Sequence, residues 1–419
     1  MTEPVPLRRN RDFILLQVGQ TLSSIGSEST GIAYPLLVLA VTHSPVKAGV
    51  VGFARIVPWA LFGFLAGVLV DRTHRKRLMI VSDLVRVGAV TSIVVALALG
   101  ELSFLQVTVV AFVEGTMYVL FNVAEIGALR SVVPVRQLPR AAAGEQVRYS
   151  TVTLVAPPLG GTLFGLARGL PFLVDALSYV FSVSSLLAMR TPFQEERAAA
   201  PSEPLRAQLA EGFRWLWSHP FLRMCAVLFT WTNLVFEGLF LVLVVVGRRQ
   251  GLSAAEIGAL VGAAGVCGLT GSFVSPRLQR LLSMRTIVLG SFWIQLGVLA
   301  FVAKPSIYVL FAGAVPMFLF LPTVNAVVIG YRVAMVPDRL TGRVNSVART
   351  IALCGAPLGP LTAGVLLGSL SARATVAIFA GMLVFLAIVA TASPSIRRAP
   401  SLDELDDLPT RTAAPVAAG

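Results

Sequence analysis

The sequence predicts an all-α membrane protein with twelve transmembrane helices arranged as two six-helix, pseudo-symmetric bundles. Three observations lead there. The 419-residue chain is 56% hydrophobic and only 13% charged, against roughly a quarter charged in a soluble domain. Its apolar residues, at a mean hydropathy of +0.80, gather in runs of about 20 or more, the length a helix needs to cross hydrocarbon. The second six runs also repeat features of the first.

The runs place spans near 13–41, 48–70, 78–99, 104–126, 143–165 and 171–189, then 223–246, 254–275, 286–303, 306–331, 344–368 and 374–392. Strands of a membrane barrel would alternate polar and apolar over about ten residues, and these runs are too long and too uniformly apolar for that. With the N-terminus inside, the cytoplasmic segments hold 23 basic residues. The periplasmic loops hold six: Lys47, Arg168, Arg248, Arg249, Lys304 and Arg373. That asymmetry puts both termini in the cytoplasm of a bacterial inner membrane.

The chain therefore divides into a cytoplasmic N-terminus (1–12), a first bundle (13–189), a linker (190–222), a second bundle (223–392) and a tail (393–419) expected to be disordered. Within the linker, Glu195 to Pro201 reads as flexible. Leu205–His219 reads as an amphipathic helix at the membrane surface, with Leu209, Phe213, Leu216 and Trp217 on one side.

Several function classes drop out. The net charge of +13 is carried by loops between apolar runs, so no basic domain for nucleic acid exists. Cys225, Cys267 and Cys354 lie within apolar runs and suggest neither disulfides nor a metal, and His43, His74 and His219 stand alone. Arg8, Arg9 and Arg11 lead into a run too long for a cleavable signal peptide. None of Lys47, Lys76 and Lys304 follows a glycine, so an ATP-driven pump lacks its phosphate loop. A membrane enzyme would need a catalytic constellation, and no His cluster or G-x-S-x-G elbow is found. No cofactor is expected.

The duplication is legible in residues. Gly67 to Lys76 after span two has a counterpart in Gly271 to Arg280 after span eight. Val133–Arg140 before span five resembles Val336–Arg343 before span eleven, and Pro158-Leu159-Gly160 and Pro357-Leu358-Gly359 follow inside those spans. Two bundles related along the membrane normal are a known transporter plan, with the substrate site between them.

Charges inside spans point to function, because each costs about 2.5–3.5 kcal/mol at a helix centre. Glu28 lies on a stripe of span one with Gln17, Gln20, Ser24 and Gly31. Glu114, Tyr118 and Asn122 share a face of span four, Thr230, Asn233 and Glu237 a face of span seven, and Asn325 sits in span ten. These stripes are expected to line a polar cavity, with Gln20, Ser24, Tyr118, Asn122, Asn233 and Asn325 as substrate candidates. Desolvation disfavours an anion there, so Glu28 and Glu114, then Glu237, are the candidate proton carriers. The alternative is a static pair in which Arg55 neutralises Glu28. Asp175 reads as structural, and Asp83 and Arg86 as a pair belonging to the cytoplasmic gate.

Gly67-x-x-x-Asp71-Arg72-x-x-Arg75-Lys76-Arg77 resembles the cytoplasmic loop signature of the major facilitator superfamily, with His74 where a glycine is common. The run Asp71 to Arg86, the pattern Phe13-x-x-Leu16-x-x-Gly19-Gln20, and the segments 212–223 and 336–349 resemble its macrolide and siderophore exporters. Ala156-Pro157-Pro158-Leu159-Gly160-Gly161 is similar to the antiporter signature of span five, with alanine replacing the leading glycine.

The resemblance, over roughly residues 10–395, implies the facilitator fold and alternating access. It further implies a monomer exchanging protons for a small amphipathic compound across the lipid bilayer. It assigns Asp71, Arg72, Arg75 and Lys76 to a latch that shuts the cytoplasmic side; Gly67, having no side chain, is expected on physical grounds to allow a close approach of spans two and three. It also assigns Pro157, Gly160 and Gly161 to antiport. Proton-coupled uptake or facilitated uniport on the same fold is the alternative.

Overall fold

The computed structural model describes residues 7–193, 205–337 and 340–397. The flexible stretch expected from Glu195 to Pro201 and nearly all of the expected tail lie outside the described residues. No strand occurs among the described residues. The helices are α1 (Arg11–Thr42), α2 (Pro45–Arg72), α3 (Arg75–Leu99), α4 (Phe104–Val132), α5 (Leu138–Leu166), α6 (Leu170–Ala188) and α7 (Leu205–Ser218). After them come α8 (Pro220–Arg249), α9 (Ala254–Leu281), α10 (Met284–Ala303), α11 (Ile307–Met335), α12 (Thr341–Ser369) and α13 (Ala372–Ala392).

Eleven of the described helices are long and apolar enough to cross a bilayer. The remaining long one, α5, has 29 residues, about 43 Å at 1.5 Å per residue. It reaches far enough, but Arg140, Glu145 and Arg148 make its first half polar. On the side of both termini the helices run several residues past the apolar spans, into Arg72, Arg75, Arg280 and Arg343. Arginine is a good helix former, so these ends continue as charged turns beyond the hydrocarbon. On the opposite, distal side Ser44, Ser103, Ser253 and Ser371 cap α2, α4, α9 and α13, each accepting a backbone N–H three residues on.

Packing repeats the duplication read from the sequence. In the first bundle α1 packs on α5 and α6, α2 on α4, and α3 on α4 and α6. In the second, α8 packs on α12 and α13, α9 on α11, and α10 on α11 and α13. The two patterns superpose span for span. Outward-facing residues such as Leu65, Leu105, Phe273 and Phe385 are more than half exposed, a belt suited to lipid rather than water.

The linker helix corrects one expectation. The buried stripe of α7 runs through Leu209, Gly212 and Leu216, while Phe213 and Trp217 stack at 4.9 Å on the exposed side. Gly212 is the cause: the Arg343 backbone at the start of α12 lies where its Cβ would be. Glu211 pairs with Arg343 beside it. The helix therefore rolls towards α12.

The bundles meet along two seams related by the same symmetry, α5 against α9 and α2 against α12. Both are built from glycine and proline. A Cβ on Gly161 would stand 3.0 Å from the Gly258 Cα, and one on Gly265 would stand 2.9 Å from the Thr153 carbonyl oxygen. Gly262 lies under the Pro158 ring. Across the other seam, Gly49 and Gly52 face Pro360 and Gly364. Pro157 and Pro158 donate no hydrogen bond to the carbonyls of Thr153 and Leu154, which lie against Gly265 and Gly262. Small residues let backbones approach where no hydrophobic force drives helices together. These contacts occupy the distal half of the interface.

Overpacking costs roughly 1–3 kcal/mol, and about 1.4 kcal/mol is tenfold in an equilibrium. Gly364→Leu should therefore loosen the distal side. In a background lacking the native cysteines, labelling of Ala254→Cys by an impermeant maleimide should rise about tenfold; unchanged labelling would refute the seam as the closing contact.

Candidate functional site

The polar residues of the interface arise from a break in α12 and from one face of the unbroken helix α1. The first is in α12, where the regular helix stops at Leu353 and resumes at Leu358. Pro357 has no amide for the Leu353 carbonyl, and the chain passes through tighter turns at Cys354, Gly355 and Ala356. The freed carbonyls find partners on α8. Thr230 donates its hydroxyl to Ile351 O at 2.6 Å, and Asn233 donates its amide to Ala352 O at 3.0 Å. Asn233 is thus bound to α12. One turn on, Glu237 packs beside Gly359.

The second is the inward face of α1, which carries Gln17, Gln20, Ser24 and Glu28. Gln20 is buried and donates to Ser182 Oγ at 3.1 Å. Glu28 is exposed, yet close enough to act electrostatically on Arg55, Tyr118, Tyr149 and Glu237. Tyr149 is itself 68% exposed. Glu28 and Tyr149 are thus exposed where α1 and α5 face the second bundle, whereas Arg55 of α2 and Glu237 of α8 are half-buried. Trp59 of α2 lies edge-on to Tyr118 at 6.1 Å, and Arg349 of α12 sits over Trp59 at 5.0 Å, which joins the bundles. Asn122 is half-buried on α4 and Asn325 is exposed on α11.

The close contacts of Arg55 are with groups other than Glu28. Its guanidinium donates to Ser27 O at 2.7 Å and meets Glu114 at 3.5 Å. Glu114, only 2% exposed, also accepts the Tyr34 hydroxyl at 2.6 Å. Gly115 leaves room for the Arg55 backbone to pass. Glu114 is accordingly held by two partners inside the first bundle, whereas Glu28 and Glu237 approach from opposite bundles. Asp175 is buried at the α1–α6 contact, accepting from Thr30 at 3.2 Å.

A second cluster sits nearer the termini. Arg148 of α5 donates from Nη2 to Glu125 of α4 at 3.0 Å, from Nε to Glu145 at 3.0 Å, and from Nη1 to Ser24 Oγ at 3.0 Å. Gln17 donates to the other Glu145 oxygen. Sequence reasoning missed Glu125, Glu145 and Arg148, along with Trp59, Tyr149 and Arg349. Glu125 was readable, since it continues the Glu114–Tyr118–Asn122 stripe by three residues. Arg148 and Glu145 were not, because their partners lie on other helices.

The loop residues turn inward to their own bundle. Lys76 donates to Met189 O at 2.7 Å, at the C-terminal end of α6, where carbonyls and helix dipole attract cations, and Arg75 donates to Phe193 O at 3.4 Å beyond that helix while lying against Gly127 of α4. Arg72 and Arg77 are exposed, and the Asp71 side chain lies outside the described residues. A Cβ on Gly67 would meet nothing within 4 Å, so the expected close approach of spans two and three at that glycine is not present. Asp83 and Arg86 pair and are buried, with Arg86 over Tyr179 at 4.2 Å and Phe121 at 4.9 Å. These partners lie on α4 and α6. Pro157, Gly160 and Gly161 serve packing: Gly160 abuts Ser29 of α1, and Pro157 and Gly161 abut Gly258.

Two symmetry-related six-helix bundles have the major facilitator fold, and the family match makes the chain a multi-pass membrane transporter, not an enzyme. The chain belongs to the transmembrane secretion effector family of that superfamily, whose model matches residues 2–416. It is 26% identical over 409 residues, 92% of this chain and 96% of the relative, to the multidrug efflux pump Tap of Mycolicibacterium fortuitum. It is 25% identical over 202 residues to macrolide efflux protein A of Streptococcus pyogenes, covering 48% of this chain and 50% of that one. Among solved structures, a bacterial homologue of the human lysosomal transporter Spinster, inward-facing and unoccupied, matches with TM-score 0.72 at 15% identity, covering 94% of this chain and 98% of that one. An inward-facing bacterial ferroportin homologue matches with TM-score 0.71 at 17% identity, covering 92% and 98%.

Leaving one member of a buried ion pair alone costs roughly 3–5 kcal/mol. Arg55→Gln should therefore lower the melting temperature of the detergent-purified protein, and adding Glu114→Gln should recover much of the loss. A double variant less stable than Arg55→Gln would contradict the pairing.

Proposed function

We propose that this transporter exports small amphipathic, weakly basic compounds in exchange for protons, by alternating access, as a monomer with both termini cytoplasmic. The observation that carries the reading is the position of Glu28 and Glu237, which lie on opposite bundles and near enough to act on each other electrostatically. Each can bind a proton or a cationic amine but not both, and that competition is the minimum an exchanger needs. Trp59 and Tyr118 supply an aromatic wall for an apolar body. The efflux activities named for the relatives support export over uptake. The preference of basic residues for the terminus side supports the orientation, in which the distal seams close the periplasmic face and the cavity opens inward. On this reading the Arg75–Lys76 turn is the latch in its released form, its cations bonded to carbonyls at and beyond the end of α6.

Expression in an efflux-deficient bacterial host should protect it against at least one compound in a panel of macrolides, basic dyes and siderophores. Glu28→Gln, present at the same level in the membrane, should lose that protection. Protection retained by Glu28→Gln and by Glu237→Gln would defeat the assignment of coupling to these carboxylates, and no protection by wild type would defeat export.

A further inference from the structure

Arg148 holds two carboxylates with one guanidinium. Glu145 is the better compensated, taking hydrogen bonds from Nε and Nη2 of Arg148 and one from Gln17. Glu125 accepts from Nη2 of the same arginine and is 9% exposed. Two negative groups against one positive leave one carboxylate uncompensated, in a site too dry to ionise both at no cost. The other charges that face it do not correct the imbalance. Asp83 and Arg86 of α3 cancel each other as a pair, and Tyr118 of α4 is neutral. On α1, Glu28 adds a further negative charge one turn from Ser24, the residue that Arg148 also grips.

The position is as informative as the charge count. Ser24, Gln20 and Gln17 continue from Glu28 along one face of α1 towards the termini, and Arg148 touches Ser24 and the Gln20 carbonyl while its partner Glu145 touches Gln17. A polar track thus leads from Glu28 to the terminus side of the interface. The Asp83–Arg86 pair, with one acid to one base and both groups fully buried, is what a purely structural ion pair looks like in this molecule. The Arg148 cluster differs in having a surplus acid and partial exposure, with side chains 12% and 27% exposed at Glu125 and Glu145.

We propose that Glu125, with Arg148 and Glu145, is a one-proton site. Glu125 takes a proton from water in the opening to become a carboxylic acid, and returns it to water when its O–H bond breaks, with Arg148 then shared between two anions. The site is the relay through which the cavity carboxylates exchange protons with the terminus side, and in this it rests on the proton-exchange reading above.

The test is infrared spectroscopy of the carboxylic-acid C=O stretch in purified protein, titrated over about pH 5 to 9. Wild type should show a titrating band containing a one-carboxyl component that Glu125→Gln loses and that Glu28→Gln and Glu237→Gln both keep. Glu145→Gln, at a more exposed position, should also lose it from this range, because Arg148 then compensates Glu125 alone. Arg148→Lys, which preserves the charge, should retain it. A band unchanged in both Glu125→Gln and Glu145→Gln would overturn the site. The readout is independent of transport: band loss with no drug protection in cells would keep the proton site and sink the export reading, and the reverse pattern would do the opposite.

Discussion

Backbone contact between α5 and α9, mirrored by α2 against α12, holds the two bundles together at one end, and the use made of every polar group in the interface follows from which end that is. The contact needs no side chains. Gly161 and Gly258 approach until a methyl group would not fit, and Gly49 meets Gly364 in the symmetric place. Lipid gives helices no hydrophobic reason to associate, so such close approach is among the few forces available. It is also easily undone, because among the described residues no disulfide or ion pair joins one bundle to the other along these seams. A contact strong enough to define a state and weak enough to leave it is what alternating access requires.

The charges obey a second constraint. Hydrocarbon offers no partner to an ion or a freed carbonyl, and the first bundle answers by pairing Glu114 with Arg55 and Tyr34, and Asp83 with Arg86. The break in α12 is answered by Thr230 and Asn233. What remains after those pairings is the set proposed above to exchange protons: Glu28, Glu237 and the surplus acid of the Arg148 cluster.

Span positions and the internal repeat were legible in the sequence because both are imposed by bilayer thickness and by duplication, which act on runs of residues. The helix ends were less so: Arg72 and Arg280 stay helical beyond the apolar runs, since helix propensity and hydrophobicity are separate properties. Face membership failed where a single glycine decided the packing, as at Gly212, which rolls α7 so that Phe213 and Trp217 point outward. Gly67 failed in the other direction, a motif glycine with open space around it. Glu28 could be singled out from its stripe alone. The pairing of Arg55 with Glu114, and the existence of the Arg148 cluster, depend on contacts between helices far apart in sequence, such as the 124 residues from Ser24 to Arg148.

Alternating access requires the two ends of the interface to move in opposition. Spin labels at positions 47 and 369, on the distal ends of α2 and α12, and at 140 and 280, on the terminus-side ends of α5 and α9, measure both by double electron–electron resonance. The distal pair should be short while the other is long in the state described here. Conditions or variants that lengthen the first, such as Gly364→Leu, should shorten the second. Distances that lengthen together, or that never change, would contradict a transporter that closes one side in order to open the other.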